Sequence, residues 1–256
     1  MMKNYKSGIV LQARMGSSRL PGKMGRKFYD GKTLLRVILE RLNEAFDSEL
    51  IIVATSSKRN DDFIETEAES CGVNVFRGSE NDVLGRFVFA AEQFNRQRII
   101  RICADNPFIQ TAFVNDLLNY NSDSEADYAG FRLNKNLPAI RSHLGFFPEL
   151  VKSEALKKIH ESDPDPLFRE HVTNFFYSSQ NSIYKTSWID LDYPDEMIHN
   201  VRLTIDTESD FLIADSLYRY FSENGLKGSD DQIFEYLNKN RDILNRMQKN
   251  IRANEK

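Results

Sequence analysis

The chain has 256 residues, 41% of them hydrophobic, which is material for a packed core in one large domain or two small ones. With 34 Lys and Arg against 38 Asp and Glu the net charge is −4, so no global basic field points to nucleic acid, and no apolar run reaches the length of a signal peptide or a membrane-spanning helix. Cys71 and Cys103 make neither a C-x-x-C pair nor a disulfide framework, so a soluble protein of a reducing cytoplasm is the expectation.

The first predicted strand is Gly8-Ile9-Val10-Leu11, and it runs directly into Gln12-Ala13-Arg14-Met15-Gly16-Ser17-Ser18-Arg19-Leu20-Pro21-Gly22-Lys23. Three cations, two glycines and two serines after a strand suit a loop that holds a polyphosphate. Glycine lets backbone N–H groups approach phosphate oxygens, serine adds short donors, and Arg and Lys neutralise charge. The spacing fits neither a Walker A loop nor a G-x-G-x-x-G fingerprint. A helix follows through Leu34, Leu35, Val37, Ile38, Leu42 and Phe46, then a strand at Leu50–Ala54, a helix over 61–71 closed by Gly72, and a strand at Val73–Phe76. A third helix over 82–94 and a strand at Arg98–Ile102 complete a strand–helix alternation, which predicts a mostly parallel sheet covered on both faces. Ligands of such sheets bind at the carboxyl ends of the strands.

The pattern from 127 to 190 is less regular: a strand at Asp127–Phe131, a strand near 141–147, a helix over 153–159, a turn at Asp163-Pro164-Asp165-Pro166 and a helix over 168–177. It reads as an insertion that covers the site or makes a dimer contact. A strand then returns at Val201–Ile205, and the remaining residues, 207–256, carry three helices, so that residues 1–256 form one domain.

Two carboxylates stand after predicted strands. Asp105 lies in Cys103-Ala104-Asp105-Asn106-Pro107, where proline ends the strand, and Asp206 in Arg202-Leu203-Thr204-Ile205-Asp206-Thr207. Mg²⁺ is usually held by one or two carboxylates together with phosphate oxygens, so this pair beside a triphosphate loop suits a magnesium–nucleotide complex. Each aspartate also has a plain structural use, Asp105 in a turn and Asp206 at a helix start.

The loop from Leu11 to Lys23, the strand Ile51-Ile52-Val53-Ala54-Thr55-Ser56, the string Val75–Arg86, the strand end at Asp105, the segment Arg169-Glu170-His171-Val172-Thr173 and Arg202–Thr207 together resemble the cytidylyltransferases of the spore-coat polysaccharide (SpsF) type. More distantly the chain is similar to CMP-Kdo and CMP-sialic acid synthetases. The resemblance, from about residue 8 to 215, implies an α/β fold of the Rossmann-like nucleotide-diphospho-sugar transferase type with an inserted dimerisation or acceptor element, a homodimer, and transfer of CMP from CTP to a sugar acid or related acceptor with release of pyrophosphate. It implies that Arg14, Arg19 and Lys23 contact phosphates with Gly16 and Ser17 in the same loop, that Ala13 and Arg77 lie where cytosine is read, and that Asp105 and Asp206 hold Mg²⁺. Arg14, Lys23, Asp105 and Asp206 then carry the chemistry, with no membrane or nucleic-acid partner. Close relatives have Gly-Asp where this chain has Ala104-Asp105, and Leu137–Phe147 departs from the family's acceptor segment, which leaves the acceptor open.

No Ser-His-Asp or Cys-His nucleophile is needed for this chemistry, because charge at the α-phosphorus is what the site must stabilise. His143 and His171 are candidates for acceptor contacts, while His160 and His199 have no supporting context. Two further readings stay open. A glycosyltransferase of this fold wants an Asp-x-Asp motif at a strand end, whereas Asp61-Asp62 falls at a helix start and Asp190-Leu191-Asp192 elsewhere. A non-catalytic nucleotide-sugar binder would have lost a metal carboxylate or Lys23, and neither is lost.

Overall fold

The computed structural model describes residues 6–120, 126–162 and 164–254. The lead-in Met1–Tyr5 and Asp163 of the proline turn lie outside them. The strands are β1 (Ser7–Gln12), β2 (Ile51–Ser56), β3 (Asn74–Gly78), β4 (Arg98–Cys103), β5 (Tyr128–Leu133), β6 (Leu137–Pro138), β7 (Glu149–Lys152) and β8 (Thr186–Leu191). The helices are α1 (Leu34–Asn43), α2 (Asp62–Ser70), α3 (Val83–Gln93), α4 (Thr111–Leu118), α5 (Ser153–Glu161), α6 (Pro166–Glu170), α7 (Asp195–Asn200), α8 (Glu208–Glu223), α9 (Asp230–Lys239) and α10 (Arg241–Asn254).

All strands belong to one sheet in the order β3-β2-β1-β4-β7-β5-β6, with β8 paired to β5. The first four are mutually parallel; β7 enters antiparallel between β4 and β5, and β8 runs parallel to β5. Period-2 alternation divides the strand side chains between two apolar layers. Ile9, Leu11, Val53, Ile100 and Ile102 pack with α1, α4, α8 and α9 on one face. Val10, Ile52, Ala54, Ile99 and Val151 pack with Val83, Leu84 and Phe87 of α3 and Leu156 and Ile159 of α5 on the other. Burying one such aliphatic side chain is worth roughly 1.5–3 kcal/mol, so both faces must be covered. The α/β class and the two-sided covering predicted from the alternation are therefore what the chain forms.

Local chemistry sets the helix starts. Thr33 accepts from the amide of Arg36 at 3.1 Å to cap α1, Asp82 accepts from Gly85 at 3.0 Å to cap α3, and Thr207 with Asp210 makes a capping box at α8. The second half departs from the sequence reading in several places. Residues 201–205 form no strand: Leu203 and Thr204 donate to His143 O at 2.8 and 3.2 Å and Ile205 to Asp105 O at 2.9 Å, with no ladder beside them. Residues 142–148 are likewise irregular, and the antiparallel strand appears later, as β7. The helix expected over 168–177 splits into α6 and a 3₁₀ turn at Asn174–Tyr177. Both apolar runs fill space against the sheet without joining it, a distinction that hydrophobicity does not encode. The strands of the 127–190 region extend the main sheet, and α4, β8 and α7 have no counterpart in the sequence reading.

A buried polar knot ties β7 to β4 and β5. Glu149, 1% exposed, accepts from Arg101 at 2.5 Å, Tyr128 at 2.9 Å and Thr173 at 2.9 Å. Burial, reinforced by the carboxylate, pushes the Tyr128 hydroxyl well above its ordinary pKa, so it serves only as a donor here. Removing one partner of a buried pair leaves the other charge uncompensated. Glu149→Ala is expected to cost about 3–5 kcal/mol in urea denaturation, and Glu149→Gln, which keeps an acceptor oxygen, less. Equal stability of the alanine variant and the parent would show that the knot carries no structural weight.

Candidate active site

The site is built at the carboxyl ends of β1, β2 and β4. The β1–β4 register runs from Ser7 opposite Arg98 to Gln12 opposite Cys103, so the loop after Gln12 leaves the sheet beside the turn that carries Asp105. Ala13 donates to Ala54 O at 3.2 Å and Ala104 to Gln12 O at 3.0 Å, which carries the pairing one residue further on each side.

The loop folds on the carbonyl of Met15, which accepts from Ser17 at 2.9 Å and Gly22 at 3.0 Å. Gly22 has φ +70°, a conformation that suits glycine. Asp61, 3% exposed, anchors the loop from beneath: one carboxylate oxygen accepts the Met15 amide at 2.8 Å, the other the Ser56 amide at 3.2 Å and hydroxyl at 2.5 Å. The amides of Gly16, Ser18 and Arg19 take no partner among the described residues. Free amides in a curved, cationic loop are what an anion requires.

Asp105 and Asp206 line the same cavity wall. Lys23, 8% exposed, sends its Nζ to Ile205 O at 2.6 Å and to Asp105 Oδ2 at 3.4 Å, joining the turn after β4 to the irregular segment 201–205. Asp206 is held on both sides, Oδ1 by Arg19 at 2.9 Å and Oδ2 by Arg202 at 2.8 Å. Arg202, 3% exposed, is fixed in turn by Asp210 at 3.0 Å. Its Nη1 lies 3.1 Å from His143 Nδ1. Since arginine only donates, Nδ1 is the acceptor and the imidazole carries its proton on Nε2.

One cavity of about 320 Å³ is lined by Ala13, Arg14, Ser17, Arg19, Lys23, Asp105 and Asp206, together with Arg101, Cys103, Glu170 and His171. A second, of about 270 Å³, shares Arg101, Cys103, Asp105, His171 and Asp206 with it and adds Asn106, Arg141, His143, Asn174, Tyr177 and Thr204. Two compartments thus meet across the two aspartates. Burial pushes the Cys103 thiol up to about 11, so it stands in both cavity walls as a neutral group. Among the described residues no three His, Cys, Asp or Glu side chains converge as a metal cluster. Asp105 and Asp206 carry hard oxygen donors that could form part of a Mg²⁺ shell, which phosphate oxygens and water would complete.

Arg77 is placed elsewhere. Its guanidinium lies between Asp62 at 2.7 Å and Glu65 at 2.6 Å and also donates to Ser56 O and Lys58 O, so it locks α2 to β3 and lines neither cavity. Gly16 lies apart from the cavity wall and near Glu80, whose Oε1 would sit 3.3 Å from a Cβ at that position. Periodicity did not single out Arg86. Only 1% exposed, it donates from Nη1 to Ser79 O at 2.7 Å and Glu80 O at 3.1 Å and so props the loop facing Gly16. Burial, and next the like charge of Arg14, lower its affinity for the proton. Arg101 and Arg202 were also missed. The available signal was a charged residue in the inward phase of an apolar segment, which says that a partner exists without saying which. His160, given no role from sequence, contacts Asp82 at 2.9 Å, as does Arg169 at 3.2 Å, fastening α5 and α6 to the start of α3.

Comparison with known proteins bears on this geometry. The cytidylyltransferase family matches residues 8–252. An uncharacterised protein of Methanocaldococcus jannaschii is 35% identical over 238 residues, 92% of each chain. The spore coat polysaccharide biosynthesis protein SpsF of Bacillus subtilis is 33% identical over 240 residues, 91% of this chain and 95% of its own. A solved cytidylyltransferase from Leptospira borgpetersenii superposes with a TM-score of 0.78 at 31% identity, covering 93% of this chain and 96% of that one. A strand-end cavity ringed by loop cations and two aspartates, in a chain matched over nearly its whole length, has one reading: this protein belongs to the cytidylyltransferase family and is a nucleotidyltransferase.

Proposed function

We propose that the protein transfers CMP from CTP to a sugar acid or related acceptor, with Mg²⁺ as cofactor and pyrophosphate as leaving group, in the synthesis of a surface polysaccharide or other glycan. The observation that carries this reading is the convergence of Arg14, Arg19 and Lys23 with Asp105 and Asp206 on one cavity that opens into a second. The first compartment suits the triphosphate and the second the acceptor, with the α-phosphorus between them. A homodimer formed through the 127–190 region is part of the same reading.

An acceptor oxygen forms a bond to the α-phosphorus while the bond from that phosphorus to the β-phosphate oxygen breaks, and the acceptor proton passes to solvent. Arg14, Arg19 and Lys23 offset charge on the phosphoryl oxygens and on the departing pyrophosphate. Lys23 is the best placed of the three, because Ile205 O fixes its ammonium before substrate arrives. Asp105 and Asp206 would hold Mg²⁺, which supplies further neutralisation of phosphate charge when bound. Arg202 fixes one oxygen of Asp206 so that the other keeps its direction. His143, with its proton on Nε2, and His171 offer contacts on the acceptor side.

Pyrophosphate release measured with each nucleoside triphosphate and a panel of sugar acids and sugar phosphates is expected to select CTP. In thermal unfolding with Mg²⁺, CTP at a hundredfold its dissociation constant adds about 2.7 kcal/mol of stability. Equal stabilisation by ATP would overturn the cytidylyl assignment. Lys23→Ala is expected to lower turnover on the order of 10²- to 10³-fold, the effect of losing one preorganised charge-stabilising donor. Turnover within a few-fold of the parent would mean that the loop does not hold the triphosphate.

A further inference from the structure

Each of the three loop cations is already answered by a carboxylate. Arg14 meets Glu170 at 3.6 Å, Arg19 meets Asp206 at 2.9 Å and Lys23 meets Asp105 at 3.4 Å. We propose that these carboxylates are resident counter-ions of the triphosphate loop, so that nucleotide and divalent cation bind as one unit and each binds weakly alone, and that Glu170 is the displaceable member that holds Arg14 until the nucleotide takes it. The proposal rests on the nucleotide reading of this cavity.

The three pairs differ in how they release. Arg14 and Glu170 are 38% and 57% exposed in their side chains, so their contact is a weak, screened surface pair. No other partner holds the Glu170 carboxylate among the described residues, and α6 is short, so the carboxylate swings away at little cost. Asp206 is built for exchange: Arg202, buried and anchored on Asp210, keeps Oδ2 while departure of Arg19 frees Oδ1. Lys23 need not leave, since its bond to Ile205 O persists while the ammonium turns from Asp105 toward a phosphate.

The consequence follows from charge. A triphosphate arriving without metal takes the cations and strands Asp105 and Asp206 beside phosphate oxygens, where like charges repel. A divalent cation arriving alone must displace Arg19 and Lys23 from the same two carboxylates. When both arrive together every charge is answered, and linkage makes the gain reciprocal.

Isothermal titration of the full chain tests this with three probes: CTP in EDTA, Mg²⁺ alone, and CTP in excess Mg²⁺. Mg²⁺ is expected to tighten CTP roughly tenfold or more, within the usual range of coupling between sites. Glu170→Gln is expected to tighten CTP a few-fold in EDTA and in Mg²⁺ alike, because it frees Arg14 without touching the metal carboxylates. Asp105→Asn and Asp206→Asn are expected to tighten CTP in EDTA and to abolish the gain from Mg²⁺. Asp206 belongs to a buried network, so the exposed Glu170 variant keeps the test decisive where an aspartate variant fails to fold. Equal CTP affinity of the parent in EDTA and Mg²⁺ would overturn the coupling, and unchanged or weaker CTP binding by Glu170→Gln would overturn the role of Glu170. ATP bound more tightly than CTP in the same titrations would instead overturn the cytidylyl reading and leave the charge argument standing.

Discussion

The nearly buried ammonium of Lys23 is the interaction on which the site depends. It reaches Asp105, 82 residues away in sequence, and the carbonyl of Ile205, 182 residues away, and so closes three chain segments on one point. An ammonium in such a place must be answered by acceptors on every accessible side. That requirement fixes where the irregular segment 201–205 lies against the β4 turn, and with it where Asp206 points. The segment needs no strand pairing for this, since a few backbone bonds and one side-chain donor hold it as firmly as the chemistry requires.

Around that point the protein arranges charge in two tiers. The outer tier, Arg14, Arg19, Asp105, Asp206 and Glu170, lines the cavity and is partly solvated. The inner tier is buried and rigid: Arg101 with Glu149, Arg202 with Asp210, and Asp61 under the loop. Buried pairs of this kind contribute little net stability but are costly to break. They hold direction, and the outer tier, whose pairs are weaker, is free to change partners. The rigid tier also joins the sheet to the site, since Arg101 sits on β4, Glu149 on β7, and Thr173 on the segment that carries Glu170 and His171 to the cavity wall.

Much of the first half was legible. Strand alternation and helical periodicity located β1 to β4 and α1 to α3, because parallel strands buried on both faces are apolar runs and the covering helices have one apolar stripe. The second half was legible in part: the strand at 127–131, the helix over 153–159 and the three helices after 207 are there as β5, α5 and α8 to α10, but the other strands were misplaced. The apolar runs at 141–147 and 201–205 look like strands but only fill the core, whereas β7 and β8 pair with β5, which shares little local pattern with either. Arg77 illustrates the same limit within the site. The resemblance placed it with the base, but two acidic residues on α2 hold its guanidinium and it lines neither cavity.

By itself the sequence determined the chemistry: a loop of cations, glycines and serines after the first strand, two aspartates at segment ends, and enough family resemblance to connect them with cytidylyl transfer. These are properties of residue type and local order, and local order is what a linear pattern preserves. Only the tertiary structure decided which charge answers which, that Arg77 turns to α2, that Arg86 and Arg202 stand behind the site while Arg101 joins its wall, and that two compartments meet at Asp105 and Asp206. Such pairings join residues separated by anything from 4 positions, as in Arg202 with Asp206, to 182, as in Lys23 with Ile205, and they are settled by which charges come within reach of one another once the sheet has formed.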